Sequence, residues 1–401
     1  MRETVKNLSL LIVTIFIFSA VTEVAIRAIG EYDHDGNFFF LKRQLLPRYI
    51  PVRQFAKKAE RYRKAKNSYI KSDDDLGWTL RPNSSNSDGS YCYNRHGIRT
   101  DSVDRVIDLS PAEGTLRIAI FGDSFSHGSG VPLDQTWGNY LEQSLRSRGI
   151  NAEVLNFAVG GYGMDQAYLR WKRDGHRFSP HIVLFGFQAE NTKRNLNIIR
   201  PIYRIDTGLP FSKPRFIIEK NRLKLINAPA VSDDGLSRII KDPGSWSLAK
   251  HEYWLKHNGY DQKLLLKSRV ISLFIYAVKR LHIRVYQERD FFSPKDEPAQ
   301  LALMIIKKFK ADVESTGSKF YITQIIRDRD LIALKDGREL GYNLLLEDIK
   351  KFNQVISPDK SFLNELTNMS VSELIPCHYS PRANEITGDL IAEFINERMG
   401  T

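Results

Sequence analysis

Few cysteines are present in this chain of 401 residues, and their scarcity limits the kinds of site that it can hold. With only Cys92 and Cys377, the chain has no disulfide framework and no four-cysteine zinc site, and it can form at most one bridge. The sequence also lacks a phosphate-binding loop and a dinucleotide-binding fingerprint, and no ligand spacing suits a metal. We therefore expect a protein that works with no cofactor and no metal.

Long hydrophobic runs are also scarce, because only one segment is strongly apolar. The mean hydropathy is -0.35, with 42% hydrophobic and 26% charged residues. These values exclude a disordered chain, a collagen-like chain and a protein with many membrane spans. What remains is one large domain with additions, or two modest domains, with enough residues to bury a sizeable core.

The apolar segment covers residues 8–26, which is close to the roughly 20 residues that span a bilayer, although Glu23 lies near its end. Phe18 occupies a position where a cleavable signal peptide would need a small residue. We predict an uncleaved, single-pass membrane anchor over residues 1–30, with a removed signal peptide and a buried helix as the alternatives. Basic residues on both sides of the segment leave its orientation open by the positive-inside rule.

Acidic residues are outnumbered, which gives a net charge of +12, and most of this excess is local. Residues 37–71 contain eleven lysines and arginines against one acid, Glu60. A basic cluster that closely follows an apolar segment favours contact with a membrane surface, and a solvated linker is the alternative. We predict a basic juxtamembrane stalk over residues 31–72 and no nucleic-acid partner.

From Thr115 onward, short apolar runs alternate with segments of helical spacing. Four runs predict strands, at residues 116–121, 152–159, 181–187 and 319–326. This alternation predicts an α/β domain over residues 73–401, with a parallel sheet and helices on both faces. Residues 196–300 interrupt the alternation and predict a cap inserted over the sheet.

A serine follows the first predicted strand, in the sequence Gly122-Asp123-Ser124. Ligands on open parallel sheets bind beyond the carboxyl ends of the strands, so the hydroxyl of Ser124 would face the cleft. Its N–H could also point at a developing oxyanion. The alternative is that Asp123 or Ser124 only caps a helix, since both residue types are preferred at that position.

Further polar and glycine residues follow the other predicted strands. Gly161 lies in a Gly-Gly-Tyr-Gly turn after the second strand, and Glu190-Asn191 follows the third. His378, in Cys-His-Tyr-Ser, precedes the last predicted helix. A nucleophile, two candidate oxyanion donors and a base at these positions fit acyl transfer.

These four blocks, in this order, resemble those of the SGNH hydrolases, also called the GDSL-type esterase and lipase superfamily. The pieces LGWTLRPN, NRHGIR, VLNFAVGGYGMDQ and HYSPRANEI are similar to membrane-attached bacterial members. The resemblance covers roughly residues 75–210 and 315–400. It implies a three-layer α/β/α fold with a mostly parallel, five-stranded, flavodoxin-like sheet.

The resemblance also implies roles for individual residues. Ser124 would be the nucleophile and His378 the base, with an oxyanion hole made of Gly161 N–H, Ser124 N–H and the side chain of Asn191. Three neighbours are expected to contact the substrate, namely Asp123, His127 and Glu190.

Two positions depart from the family pattern. The third block usually reads Gly-x-Asn-Asp, whereas here Glu190-Asn191 follows a longer turn, so the register of Asn191 can differ by one residue. The second departure concerns the histidine. An aspartate usually stands three residues before the histidine and orients its ring, whereas this chain has Ile375 there. Either a Ser124–His378 dyad operates, or another acid such as Glu373 substitutes.

We therefore expect a serine esterase that removes, or transfers, acyl groups. The anchor, the stalk and the resemblance point to acetyl groups on a cell-surface carbohydrate, with the catalytic domain on the periplasmic side of the membrane. The alternative from another class is a catalytically silent carbohydrate-binding or assembly protein with the same fold, which is motivated by Ile375.

Overall fold

The computed structural model describes residues 2–65, 68–260, 264–286 and 289–399. Its helices are α1 (Arg2–Ile29), α2 (Val52–Lys64), α3 (Ser124–His127), α4 (Trp137–Ser147), α5 (Met164–Arg173), α6 (Asn191–Arg194), α7 (Arg200–Tyr203), α8 (Asp233–Lys241), α9 (Tyr253–His257), α10 (Arg269–Tyr286), α11 (Arg289–Phe292), α12 (Glu297–Glu314), α13 (Asp328–Lys335), α14 (Asn343–Lys350), α15 (Asp359–Glu365), α16 (Val371–Leu374) and α17 (Pro381–Met399). Its strands are β1 (Glu31–Tyr32), β2 (Phe38–Phe40), β3 (Arg43–Gln44), β4 (Ile70–Asp73), β5 (Gly77–Leu80), β6 (Ser84–Ser85), β7 (Cys92–Tyr93), β8 (Arg99–Thr100), β9 (Leu116–Phe121), β10 (Ala152–Asn156), β11 (Ile182–Phe187), β12 (Arg215–Glu219), β13 (Arg222–Ile226), β14 (Lys319–Gln324) and β15 (Val355–Ile356).

The chain divides into two compact units. The first comprises Met1–Arg61, Ile199–Pro210 and Asp233–Gln287, and the second comprises Tyr62–Ile198, Phe211–Ser232 and Glu288–Thr401. The segment predicted as an insertion, residues 196–300, is shared between the two, because the hairpin of β12 and β13 belongs to the second unit. The boundaries given for the anchor, the stalk and the hydrolase domain stay a prediction.

The second unit is built on an eight-stranded sheet with the order β15-β14-β11-β9-β10-β8-β7-β6. Strands β10, β9, β11, β14 and β15 are parallel neighbours, and their order along the sheet is the flavodoxin-like one. The short strands β8, β7 and β6 extend the sheet in antiparallel fashion. The predicted α/β class and the five-stranded parallel core are confirmed, and the antiparallel extension is an addition.

Alternation along β9 directs its side chains to the two faces of the sheet. Ile118 and Ile120 pack in one core cluster with residues of α4 and α17. The ring of Phe121 lies on the other face, 5.8 Å from the ring of Trp171 in α5 and 5.9 Å from that of Phe309 in α12. Helices thus cover both faces, and the predicted three-layer α/β/α arrangement is confirmed.

The first unit contains α1, which is the one helix of the described residues that is long and apolar enough to cross a membrane. Only 6% of its most apolar window is buried, so nearly all of that surface is exposed. At its carboxyl end, Ile26 packs with Phe38 and Leu45. Glu23 accepts a hydrogen bond from Val270 N at 2.9 Å, which gives this acidic residue a partner beside an apolar span.

Helices α17 and α4 approach so closely that residue 388 has no room for a side chain. A Cβ at Gly388 would lie 2.7 Å from Trp137 O, which is closer than real Cβ contacts. One turn earlier, Asn384 accepts a hydrogen bond from Trp137 N (3.1 Å) and donates one to Tyr379 O (3.1 Å). This helix contact therefore also holds the segment that contains His378.

We expect Gly388→Ala to lower the free energy of unfolding by about 1–3 kcal/mol, because the added methyl group forces the helices apart. On helix propensity alone the same change would stabilise the protein by about 1 kcal/mol. Urea unfolding measures the difference. Asn396→Ala, at an exposed position of the same helix, is the control and is expected to stay within about 0.5 kcal/mol. A more stable Gly388→Ala protein would contradict the close contact.

Candidate active site

The serine motif forms the connection between β9 and the short helix α3. After Phe121, Gly122 turns the chain with φ of +155°. A Cβ at Gly122 would lie 2.4 Å from Ser126 Oγ, so the turn has room only for glycine. Helix α3 then begins at Ser124, and this position places the serine hydroxyl and N–H beyond the carboxyl end of a central strand.

Asp123 precedes α3 and is fully buried. Its Oδ1 accepts a hydrogen bond from Phe125 N (3.0 Å) and so caps α3. Its Oδ2 accepts from a guanidinium nitrogen of Arg194 (3.1 Å), and the same nitrogen donates to Tyr162 O (3.0 Å). Asp123 therefore connects the nucleophile helix with the glycine turn and with α6. It exposes no surface with which to make the predicted substrate contact.

His378 approaches Ser124 from a different element, the segment before α17. Its Nε2 lies 2.8 Å from Ser124 Oγ. Burial lowers the pKa of His378, the charge of Asp123 acts in the opposite direction, and the charges of Arg327 and Arg194 lower it further. The imidazole is therefore neutral at pH 7 and can accept the proton of the serine hydroxyl.

No carboxylate orients the ring of His378 in the described part of the chain, since its Nδ1 has no hydrogen-bond partner there. Ile375 is buried in an apolar cluster. Glu373 accepts hydrogen bonds from Ser370 N (2.8 Å) and Ser370 Oγ (2.7 Å) in a capping box at the start of α16. This geometry favours the Ser124–His378 dyad over the alternative that uses Glu373.

Three hydrogen-bond donors that follow β9, β10 and β11 have no acceptor among the described residues: Ser124 N, Gly161 N and Asn191 Nδ2. Gly161 has φ of +82° in the turn that follows β10. Asn191 begins α6 shortly after β11, and its Oδ1 is buried without a partner. Because β10, β9 and β11 are adjacent parallel strands, these donors share one edge of the sheet. Such a set can stabilise an oxyanion.

Glu190 precedes α6 and is only 9% exposed, which leaves little surface for the predicted substrate contact. Its carboxylate pairs with Arg327 and lies 3.9 Å from a guanidinium nitrogen of Arg194. Arg327 follows β14, so this pair links the ends of two neighbouring strands. Glu190 thus holds the two arginines whose charges act on His378.

His127 lies at the end of α3 and is also buried. Its Nε2 is 2.9 Å from Tyr93 Oη and its Nδ1 is 3.2 Å from Ser129 Oγ. Arg99 donates a hydrogen bond to the backbone oxygen of His127. Burial, followed by the charge of Arg99, lowers the pKa of His127 well below its usual value. His127 is therefore a buried, neutral residue that cannot replace His378 as the base.

Two residues of this network, Arg194 and Arg327, were not predicted from the sequence. Arg194 stands four residues after Glu190, a spacing that brings two side chains together on a helix. Arg327 follows a predicted strand, where site residues gather on such sheets. Both signals were available. No sequence pattern could have indicated the contact of Tyr93 with His127, because the two residues belong to separate elements.

Within the described ranges, no group of three or more histidine, cysteine or acidic side chains could hold a metal ion. Cys92 and Cys377 are both free thiols, so the one bridge that the composition allows is not formed. Cys377 is exposed next to His378 in the chain.

Comparisons with known proteins add a family match. Residues 118–205, which include Ser124, Gly161 and Asn191, match the family described as GDSL-like Lipase/Acylhydrolase. A comparison with curated proteins finds no match.

Solved structures of low sequence identity are also similar to this chain. A lipolytic protein of the G-D-S-L family from Desulfitobacterium hafniense has 12% identity and a TM-score of 0.33, and the similarity covers 69% of this chain and 98% of that one. A lipase/acylhydrolase from Enterococcus faecalis has 11% identity and a TM-score of 0.36, with coverage of 70% and 96%. An acetyl xylan esterase has 11% identity and a TM-score of 0.35, with coverage of 70% and 99%.

TM-scores of this size carry no argument about activity, so the assignment rests on the family match, which includes the serine motif, the glycine turn and the asparagine turn. Residues 118–205 thus match a GDSL-like lipase/acylhydrolase domain, and this match supports a hydrolase that acts on ester bonds.

Proposed function

We propose that this hydrolase works through an acyl-enzyme on Ser124, with His378 as the group that transfers the proton. The observation that carries the proposal is the 2.8 Å contact between His378 Nε2 and Ser124 Oγ. It joins a nucleophile and a neutral base from different elements, at the edge of the sheet where the free donors lie.

The proposed reaction proceeds in two halves. Ser124 Oγ attacks the ester carbonyl carbon while His378 Nε2 takes its proton, and the carbonyl electron pair moves onto oxygen. Ser124 N–H, Gly161 N–H and Asn191 Nδ2 donate hydrogen bonds to that oxyanion. Collapse expels the alcohol, which takes the proton back from His378. Water or an acceptor hydroxyl then attacks the acyl-enzyme with His378 again as base, and Ser124 is released.

Because no carboxylate of the residues that the structure describes is bound to His378 Nδ1, we take the ring to be oriented by packing. The ring of Phe125 lies against it at a centroid distance of 4.8 Å. The next residue, Tyr379, is buried and accepts a hydrogen bond from Ile326 N (2.9 Å). In serine proteases the orienting acid contributes about 10⁴ to kcat, so we expect a slow esterase.

We also propose a substrate, an acetylated carbohydrate of the cell surface. Besides the motif resemblance, two partly exposed tyrosines support it. The ring of Tyr91 lies 5.2 Å from that of His127, one helical turn from Ser124, and Tyr69 packs edge-on against Tyr91 at 6.0 Å. Aromatic rings that remain partly exposed are suited to stacking of a sugar ring.

We further propose that α1 anchors the chain in a membrane and that the hydrolase domain acts on the periplasmic side. The length, apolarity and exposure of α1 support anchoring. Transfer of the acyl group to a second sugar uses the same residues as hydrolysis. A higher yield of product with an added sugar acceptor than with water alone would identify transfer.

The central test is hydrolysis of 4-nitrophenyl acetate by the full chain in mild detergent. We expect Ser124→Ala and His378→Ala each to reduce kcat by roughly 10²-fold or more, because the two groups act as a unit and the missing acid has already removed most of what a full triad supplies. A serine-directed phosphonate should label the parent protein at Ser124 and leave Ser124→Ala unlabelled. Equal rates in the parent and Ser124→Ala proteins would refute the acyl-enzyme and favour the silent binding protein.

A second prediction distinguishes the dyad from a triad. We expect Glu373→Gln to leave kcat within about twofold, because the carboxylate of Glu373 is engaged by Ser370 and not by His378. An orienting acid would instead be worth about 10⁴. Ser370→Ala, which removes the hydroxyl partner of Glu373, is the matched control for damage to α16. A large loss of kcat in Glu373→Gln alone would restore a triad.

The pH profile provides a third prediction. His378 acts as a base only when neutral, so kcat/KM should fall as the pH drops through the pKa of His378, which burial places below 6.5. Arg327→Gln removes a charge that lowers this pKa, so the midpoint of the acid limb should move upward. Arg329→Gln, two residues away and more exposed, is the control and should not shift it. A midpoint at or above 6.5 in the parent protein would contradict this account.

A further inference from the structure

A pocket of about 330 Å³ lies in the second unit, outside the site described above. The hairpin of β4 and β5, the turn between β7 and β8, and the carboxyl end of α5 line it. Helix α5 begins at the glycine turn beside the active site and has ten residues, so its far end is roughly 15 Å away. The pocket is therefore a separate feature of the fold.

Two of the five cations that line the pocket are paired with acids. Arg170 lies 2.9 Å from Asp174 and donates a hydrogen bond to Thr79 Oγ1 at 2.6 Å. Arg173 lies 2.6 Å from Asp73 and 3.1 Å from Asp174. Asp73 and Asp174 are the only carboxylates in the lining, so these two arginines engage both of them. The Arg173–Asp73 pair and the Arg170–Thr79 hydrogen bond hold the β4–β5 hairpin to α5.

The other three cations, Lys71, Arg95 and Arg177, make no ion pair with any residue that the structure describes. His96 lies among them, and its Nε2 accepts a hydrogen bond from Arg95 Nε (3.0 Å), which requires a neutral ring. Burial lowers the pKa of His96, and the charges of Arg95 and Arg177 lower it further. The pocket thus keeps three positive charges in excess of its carboxylates.

We infer that this pocket binds the phosphate group of a phosphate monoester. The carboxyl end of α5 contributes a partial charge of only about -0.5, which the three unpaired cations exceed. A phosphate monoester carries about -1.5 to -2 at pH 7, so it complements the excess better than a carboxylate with a single charge. Guanidinium groups such as those of Arg95 and Arg177 match its oxygens in bidentate fashion. The inference is independent of the proposed esterase mechanism.

Isothermal titration calorimetry on the full chain in mild detergent, at pH 7.5 and constant ionic strength, tests this inference. The probes are inorganic phosphate, glucose 1-phosphate and glucuronate. We expect one saturable site for both phosphates and binding of glucuronate at least about tenfold weaker. Tighter binding of glucose 1-phosphate than of inorganic phosphate would identify an ester as the preferred form, and equal binding would identify the phosphate group itself as the ligand.

The variants Arg177→Ala and Lys71→Ala should each weaken phosphate binding by about tenfold. Arg222→Ala, at an exposed position of β13, is the matched control and should leave it unchanged. Unchanged thermal unfolding midpoints would show that the variants fold. Absence of saturable binding, equal affinity for glucuronate, or binding that survives both pocket substitutions would overturn the proposal.

Discussion

The site depends on the hydrogen bonds that the buried carboxylate of Asp123 accepts. One oxygen caps the helix that begins with Ser124, and the other holds Arg194. Arg194 in turn donates to Tyr162 O in the glycine turn and belongs to the helix that begins with Asn191. Removing an ionic group of this kind from water costs several kcal/mol, which only such a set of hydrogen bonds offsets. The three proposed oxyanion donors are thus connected to one buried carboxylate.

The proposed base, His378, is positioned by different contacts. His378 is carried by the segment before α17, and the close contact of α17 with α4 holds that segment. With Ile375 in the apolar core, the ring is held by aromatic packing and by its bond to Ser124. The charged groups around it act at a distance, and their balance keeps the imidazole neutral at pH 7. In the proposed mechanism this neutrality favours proton uptake in the first step, while the missing acid makes the resulting imidazolium less stable.

Positive charge is arranged in two different ways in the second unit. Around the active site, Arg194 and Arg327 are engaged by Asp123 and Glu190, so they serve as structural links. At the far end of α5, the acids are fully used by two arginines and three further cations are left without an ionic partner in the described residues. Arginines thus act as structural links in the first group and leave uncompensated positive charge in a pocket in the second group.

Four of the five parallel strands, and the positions of Ser124, Gly161 and Asn191 after three of them, could be predicted from the sequence, while the order of the strands was implied by the family resemblance. Apolar runs of five or six residues carry a clear period, and the carboxyl ends of parallel strands meet at one edge. The antiparallel strands β8, β7 and β6 could not be predicted, because two residues carry no period. The sequence by itself thus determined the fold class and the residues at the catalytic edge. Only the tertiary structure decided that Glu373 turns to Ser370, that Asp123 is buried as an anchor and that His127 is inaccessible. These outcomes depend on contacts between separate elements, for which spacing along the chain gives no physical signal.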